Sequence, residues 1–242
     1  MLDTLIQHAQ DFWGALKHRA LFGLLLTLLS YQLGLWLYQY SGRKLLLHPL
    51  VISVIGISVI LQLIDLPYSQ YLKANELLYF LLGPATVALA IPLHQEFHNL
   101  RKLALPALLT IIIGGSFAAA AAVSIAWALG GSDIVLLSLS PKSVTTPIAL
   151  SIAQTIDALP SLTTAAVVVT GIVGVLMSPL AFYLLRLRDP RLQGIVLGIN
   201  AHAVGTARSF EVNPSMGAFS SLAMGLTGTF TALTLPYIVR LF

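Results

Sequence analysis

Cysteine is absent from the 242 residues, which excludes disulfides, thiolate catalysis and Cys-ligated zinc, iron–sulfur or haem centres. Charge is scarce too. The 13 Lys+Arg and 9 Asp+Glu make up 9% of the chain, against the roughly 25% with which a soluble domain covers itself. Hydrophobic residues contribute 57% and the mean hydropathy is +0.88. Together these exclude a soluble enzyme, a nucleic-acid binder and a secreted mini-domain. The pI near 9.5 does not point to a polyanion partner, because the basic residues form short clusters between apolar runs, as loop charges do in membrane proteins. No Walker loop, dinucleotide fingerprint or hydrolase triad is present, so ATP-driven chemistry within this chain and an enzyme reading are both set aside. What remains is an all-α, polytopic integral membrane protein.

The positions without charge count the crossings. No Asp, Glu, Lys or Arg occurs in 20–42, 45–64, 77–95, 103–132, 158–185, 192–207 or 212–239. Each run is at or near the roughly 20 residues a helix needs to cross hydrocarbon. A further apolar stretch, 133–157, carries one charge, Lys142, giving about eight membrane segments. Residues 1–19 differ: Leu2, Leu5, Ile6, Ala9, Phe12, Trp13 and Leu16 recur at helical spacing against Asp3, Gln7, Gln10 and Asp11, the pattern of an interfacial amphipathic helix. The expected organisation is therefore that helix followed by one transmembrane domain, 20–242. The basic clusters Arg101/Lys102 and Arg186/Arg188/Arg191 are expected on the cytoplasmic side, with the connections after Gly130 and Asp157 outside. The 133–157 segment then starts and ends on one side, as a re-entrant hairpin.

Three segments carry helix-breaking residues at membrane depth: Pro84 with Gly83 and Pro92, Pro141 with Pro147, and the glycines Gly194, Gly198 and Gly205. Irregular backbone survives in a bilayer only where protein or a watery cavity satisfies its polar groups, and discontinuous helices in corresponding places point to a transporter site. The segments at Pro84 and Pro141 align their proline, valine (Val87, Val144) and isoleucine (Ile91, Ile148), a hint of an internal, inverted repeat.

Within eight residues, 140–147 holds an ammonium (Lys142), four hydroxyls (Ser140, Ser143, Thr145, Thr146) and two prolines. A lone Lys at the bilayer centre costs at least about 2.5 to 3.5 kcal/mol, so it must face a polar interior or an anion. The N–H groups at the start of the following helix favour a carboxylate or phosphate. One reading is an anion cradle; the other is a snorkelling Lys whose Ser/Thr neighbours cap a helix. The second constellation runs from Gly198 through Asn200, His202, Gly205, Thr206 and Arg208 to Glu211. Gly194, Gly198, Ala201 and Gly205 form a small-residue stripe for close helix approach. His202 and Thr206 stand one turn apart on an ideal helix. His202 suits proton coupling and Arg208 can fork a carboxylate; alternatively His202 is hydrogen-bonded in a helix interface and Arg208 pairs with Glu211. Asn200 either orients a ligand or bonds across helices. His94 and Glu96, beside His98 and Arg101, read as a solvated loop face sooner than a proton or metal site, and the Gly217, Ser221, Gly225, Gly228 run reads as helix packing.

Ser140-Pro-Lys-Ser-Val-Thr-Thr-Pro-Ile-Ala149 together with His202-Ala-Val-Gly-Thr-Ala-Arg-Ser-Phe-Glu211 closely resembles the LrgB/CidB family of bacterial membrane proteins, and the likeness extends through Gly217-Ala-Phe-Ser-Ser-Leu222. The resemblance implies two functions of different class. One is a holin-like or antiholin-like role in murein hydrolase activity and lysis, paired with a small LrgA/CidA-type membrane protein. The other, through bacterial relatives and the plastid glycolate/glycerate translocator, is transport of small 2-oxo or 2-hydroxy monocarboxylates such as pyruvate, glycolate or glycerate. The expected partners are a small organic anion, the lipid bilayer of a bacterial cytoplasmic membrane, an LrgA/CidA-like protein and further copies of the chain in a homo-oligomer; no cofactor, metal or nucleic acid is called for. In the carrier reading Lys142 neutralises the carboxylate, Ser143, Thr145 and Thr146 bond its oxygens or hydroxyl, Ser140, Asn200, His202, Thr206 and Arg208 complete the substrate site, and His202 with Arg208 and Glu211 couples a proton or gates the site.

Overall fold

The computed structural model describes residues 20–42, 44, 47–88, 91, 94, 101 and 104–240. The amphipathic stretch 1–19 and Pro92, Glu96, His98 and Lys102 lie outside them. The described residues form ten helices and no strand. They fall into two compact units, 1–88 and 89–242.

The first unit holds α1 (Ala20–Tyr40), α2 (Pro49–Leu63), α3 (Tyr68–Ala74) and α4 (Glu76–Ala88). α1 is long and apolar enough to cross a membrane. Trp36 stacks on Tyr40 near its end, where amphipathic aromatics settle at the water interface. α2 and α3 bend by 118° at a short break that contains Asp65 with a positive φ of 50° and ends at Pro67, the cap of α3. The polar side chains that fold into this unit satisfy one another. Thr27 Oγ1 meets the Tyr71 hydroxyl at 2.6 Å and donates to Asn75 Oδ1 at 2.8 Å, while the Asn75 amide donates to the Tyr71 carbonyl. Pro84 does not break its segment: α4 runs through it to Ala88.

The second unit holds α5 (Ala104–Ala128), α6 (Asp133–Leu139), α7 (Thr146–Thr155), α8 (Pro160–Leu184), α9 (Pro190–Val212) and α10 (Pro214–Val239). α10 is its axis. Phe219 and Ala223 pack with Ile111 of α5 and Ile195 and Ile199 of α9; Met216 packs with Leu197 and Val175; Leu235 joins Ala149 and Ile152 of α7. Lipid tails are as apolar as these side chains, so association rests on close packing and hydrogen bonds. The glycine stripe supplies the first: a Cβ at Gly194 or Gly198 would collide with the carbonyls of Met216 and Ser220 on α10.

Each of the eight charge-poor stretches carries helix. By length and composition, four single helices qualify as spans (α1, α5, α8, α10), and the bent α2–α3 pair makes a fifth among the described residues. The other stretches are short, broken or too polar to qualify, and the interest of the molecule lies in them.

Candidate functional site

The first break separates α6 from α7. Pro141 is fully buried, and the chain between the helices is tightened by bonds from the Lys142 N–H to the Leu139 carbonyl and from the Val144 N–H to the Pro141 carbonyl. α7 then starts at Thr146 with Thr145 in the cap position and Pro147 in its first turn, where a missing N–H costs nothing. The excursion closes on itself. The Leu159 N–H donates to Ser138 Oγ at 3.0 Å and the Thr163 hydroxyl to the Ser138 carbonyl at 3.1 Å, so the chain leaving α7 returns to the end of α6, as a hairpin does.

Inside this loop Ser140 and Ser143 are buried, whereas Lys142, Thr145 and Thr146 are half-buried. The Lys142 ammonium donates to Ser143 Oγ at 3.2 Å, and Ser140 Oγ donates to the Leu137 carbonyl at 2.7 Å. The Thr145 hydroxyl does not cap α7, and the first-turn N–H groups, as at every helix start, have no partner within the helix. No carboxylate pairs with Lys142 among the described residues, whose ion pairs are Arg191–Asp189 and Arg208–Glu211.

The second break lies in α9, at His202 itself (φ 39°, ψ −124°). The other positive-φ non-glycine residues, Asp65, Asp157 and Arg186, follow helix ends, where such a conformation is an ordinary cap. Among the described residues His202 alone has it inside a helix. The bend is sharp. Gly198 and Thr206 both meet Ser220 of α10, Thr206 through a 3.0 Å hydroxyl contact, although residues eight apart on a straight helix are separated by about 12 Å along its axis. Gly205 packs on the Leu197 carbonyl two turns earlier. Gly198 and Gly205, expected as break points, lie in helical backbone on either side of His202, and their lack of a side chain lets neighbouring backbone approach.

The kink also redirects side chains. On an ideal helix His202 and Thr206 share a face, but here His202 Nε2 sits 3.0 Å from the Val167 carbonyl of α8, whereas Thr206 faces Ser220 and Met224 of α10. The imidazole is 3% exposed, and Gly171 makes room for it: a Cβ there would lie 2.9 Å from its Cε1. Asn200 is exposed and donates to the Val196 carbonyl of its own helix. Arg208 and Glu211 pair at 2.8 Å on a partly exposed surface.

The two breaks meet at α8. Val167 shares a buried cluster with Val144 of the first break, and its carbonyl receives the imidazole of the second. A cleft of about 750 Å³ between α5, α6 and α10 runs from Asp133 to Ser140, at the edge of the first break. A cationic loop and a buried, ionisable ring thus share one interior. Such a place can hold a small anion and respond to a proton. Among the described residues no three His, Asp or Glu gather as metal ligands do.

Comparison with known proteins places the chain. Residues 27–241 match the LrgB-like family. Two relatives from Bacillus subtilis (strain 168), the uncharacterized proteins YwbG and YxaC, are 33% and 34% identical, over 89% and 90% of this chain and 96% and 95% of theirs. The antiholin-like protein LrgB of Bacillus mycoides (strain KBAB4) is 29% identical over 89% of this chain and 94% of its own. No solved structure matches. With its broken helices, its multi-pass helical architecture and this match over most of its length, the chain belongs to the LrgB-like family of membrane proteins.

Proposed function

We propose that this protein is an ion-coupled secondary transporter of small 2-oxo or 2-hydroxy monocarboxylates in a bacterial cytoplasmic membrane. The observation that carries the reading is the convergence of two helix breaks, one bearing Lys142 and the other made at His202, on the same stretch of α8. An ammonium in a membrane segment with no carboxylate partner among the described residues faces a polar interior or an anion, and discontinuous helices build carrier sites because their N-terminal ends offer backbone donors and a partial positive charge. In this reading Lys142 holds the carboxylate. Ser143, Thr145 and Thr146 hydrogen-bond its oxygens, and His202 takes up and releases the coupled proton. Ser140 and the cleft along α6 form the approach. Arg208 and Glu211, paired with each other, gate that end of α9 without touching substrate, and Asn200 and Thr206 support the helices. A charge-assisted pair in such a pocket contributes on the order of 1.5 to 3 kcal/mol, so with a few further hydrogen bonds the affinity falls in the micromolar to millimolar range.

The alternative is a holin-like or antiholin-like regulator of murein hydrolase activity, acting with a small LrgA/CidA-type partner. It is favoured by one observation, the name antiholin-like protein LrgB carried by relatives that align over nearly all of their length. A pore or regulator of that kind has no use for a half-buried lysine among hydroxyls in a broken membrane segment.

Uptake of labelled pyruvate and glycolate into proteoliposomes, with and without an imposed pH gradient, separates the two. The carrier reading expects saturable uptake driven by the gradient. Absence of uptake, with the chain alone and with an LrgA-type partner, would favour the lysis regulator.

A further inference from the structure

Thr227 of α10 is 1% exposed and its hydroxyl has no hydrogen-bond partner among the described residues. Its neighbours in sequence behave otherwise: Ser221, Thr229 and Thr234 each donate to the carbonyl four residues earlier on the same helix, the usual way for a helical hydroxyl to satisfy itself in an apolar setting. Packing gives no reason for an oxygen at this position. Valine has the same shape, and an unmade hydrogen bond in a dry interior is costly.

The surroundings supply a reason. The Thr227 methyl group is the atom that meets Gly115 of α5. Gly228, next along, packs against Ile148 in the first turn of α7. Met224, one turn back, accepts the Thr206 hydroxyl beyond the break in α9. Thr227 therefore shares one turn of α10 with the residues that meet the start of α7 and the second half of α9.

Resting on the transporter reading above, we infer that the Thr227 hydroxyl is a substrate contact and reads the oxygen at carbon 2 of the bound acid. A hydroxyl both donates and accepts, so it serves a 2-oxo and a 2-hydroxy group alike, while Lys142 holds the carboxylate common to all monocarboxylates. Selectivity against an acid lacking that oxygen then follows, because such an acid leaves the hydroxyl unpaired.

The test compares wild type, Thr227→Val and Thr227→Ser in proteoliposomes, measuring uptake of labelled glycolate and its competition by unlabelled propionate, with thermal melting of each purified protein as the check on folding. Thr227→Val is expected to melt at or above the wild-type temperature, to raise the KM for glycolate about five- to tenfold, and to leave propionate competition unchanged; Thr227→Ser is expected to restore the KM to within about twofold. Glycolate KM and selectivity unchanged in an active Thr227→Val, or both acids weakened equally, would overturn the Thr227 assignment while leaving the transporter reading intact. No uptake of any acid by wild type would overturn both.

Discussion

Lys142 and His202 divide the work by chemistry. Lysine is a compact charge that three donors surround, suited to a carboxylate that arrives and leaves. Histidine is the side chain whose charge changes nearest neutral pH. His202 also holds backbone at φ 39°, ψ −124° inside a helix, a conformation that side chains rarely adopt and which costs on the order of 1 to 3 kcal/mol unless its surroundings impose it. The bond to the Val167 carbonyl and the room left by Gly171 impose it. Replacing His202 with Gln keeps a donor for Val167 but removes the titration. The expected result is a folded protein whose glycolate uptake no longer responds to a pH gradient, measured by imposing gradients of either sign on the same proteoliposomes. Lys142 was legible in the sequence because it is the one charge in an apolar stretch bounded by Asp133 and Asp157. Thr227 was not: in a run of small and hydroxylated residues, a hydroxyl that bonds its own helix and one that bonds nothing are spelled alike.

At the scale of elements, the close contact of α9 with α10 rests on the absence of side chains at Gly194 and Gly198. Gly198→Leu would push against the Ser220 carbonyl and Ala223, and overpacking of this kind costs about 1 to 3 kcal/mol; a lowered melting temperature in detergent is the expected outcome, and because the strain bears on the bend, lowered uptake should accompany it. The start of α9 is fixed differently. Asp189 Oδ1 accepts the Arg191 N–H at 2.9 Å, and its carboxylate also takes the Arg191 guanidinium. Those bonds hold the Asp189 carboxyl below the ordinary carboxylate range. A depressed folded value means that the cap stabilises the protein above the unfolded value of about 3.9 and loses its contribution as pH falls through the lower folded one. Asp189→Ala should thus cost about 1 kcal/mol near neutrality, and melting curves of variant and wild type should converge under strongly acidic conditions. The small-residue stripe announced the α9–α10 contact, since small residues four apart serve such approach. The glycines announced a break in this segment but not its place at His202: a 3.6-residue period carries His202 and Thr206 onto one face, whereas the kink sends one to α8 and the other to α10. Pro84 misled in the opposite sense, because a proline removes one bond from a helix without having to end it, and α4 continues past it.

For the whole molecule, scarce charge located the helices well. Every charge-poor stretch holds helix, and the stretches that do not qualify as plain spans include those that carry Lys142 and His202. How many of the stretches cross fully could not be read from apolar length, because a broken helix and a hairpin show the same absence of charge as a span. Family membership follows from the match over residues 27–241; the choice between carrier and lysis regulator turns on whether the interior binds an anion. The most direct measurement is glycolate uptake by wild type and Lys142→Ala, reconstituted at matched protein density under the same pH gradient. Loss of one charge-assisted contact predicts uptake reduced tenfold or more, roughly 1.5 kcal/mol or above, in a variant that still folds. Uptake by Lys142→Ala equal to wild type would contradict the account.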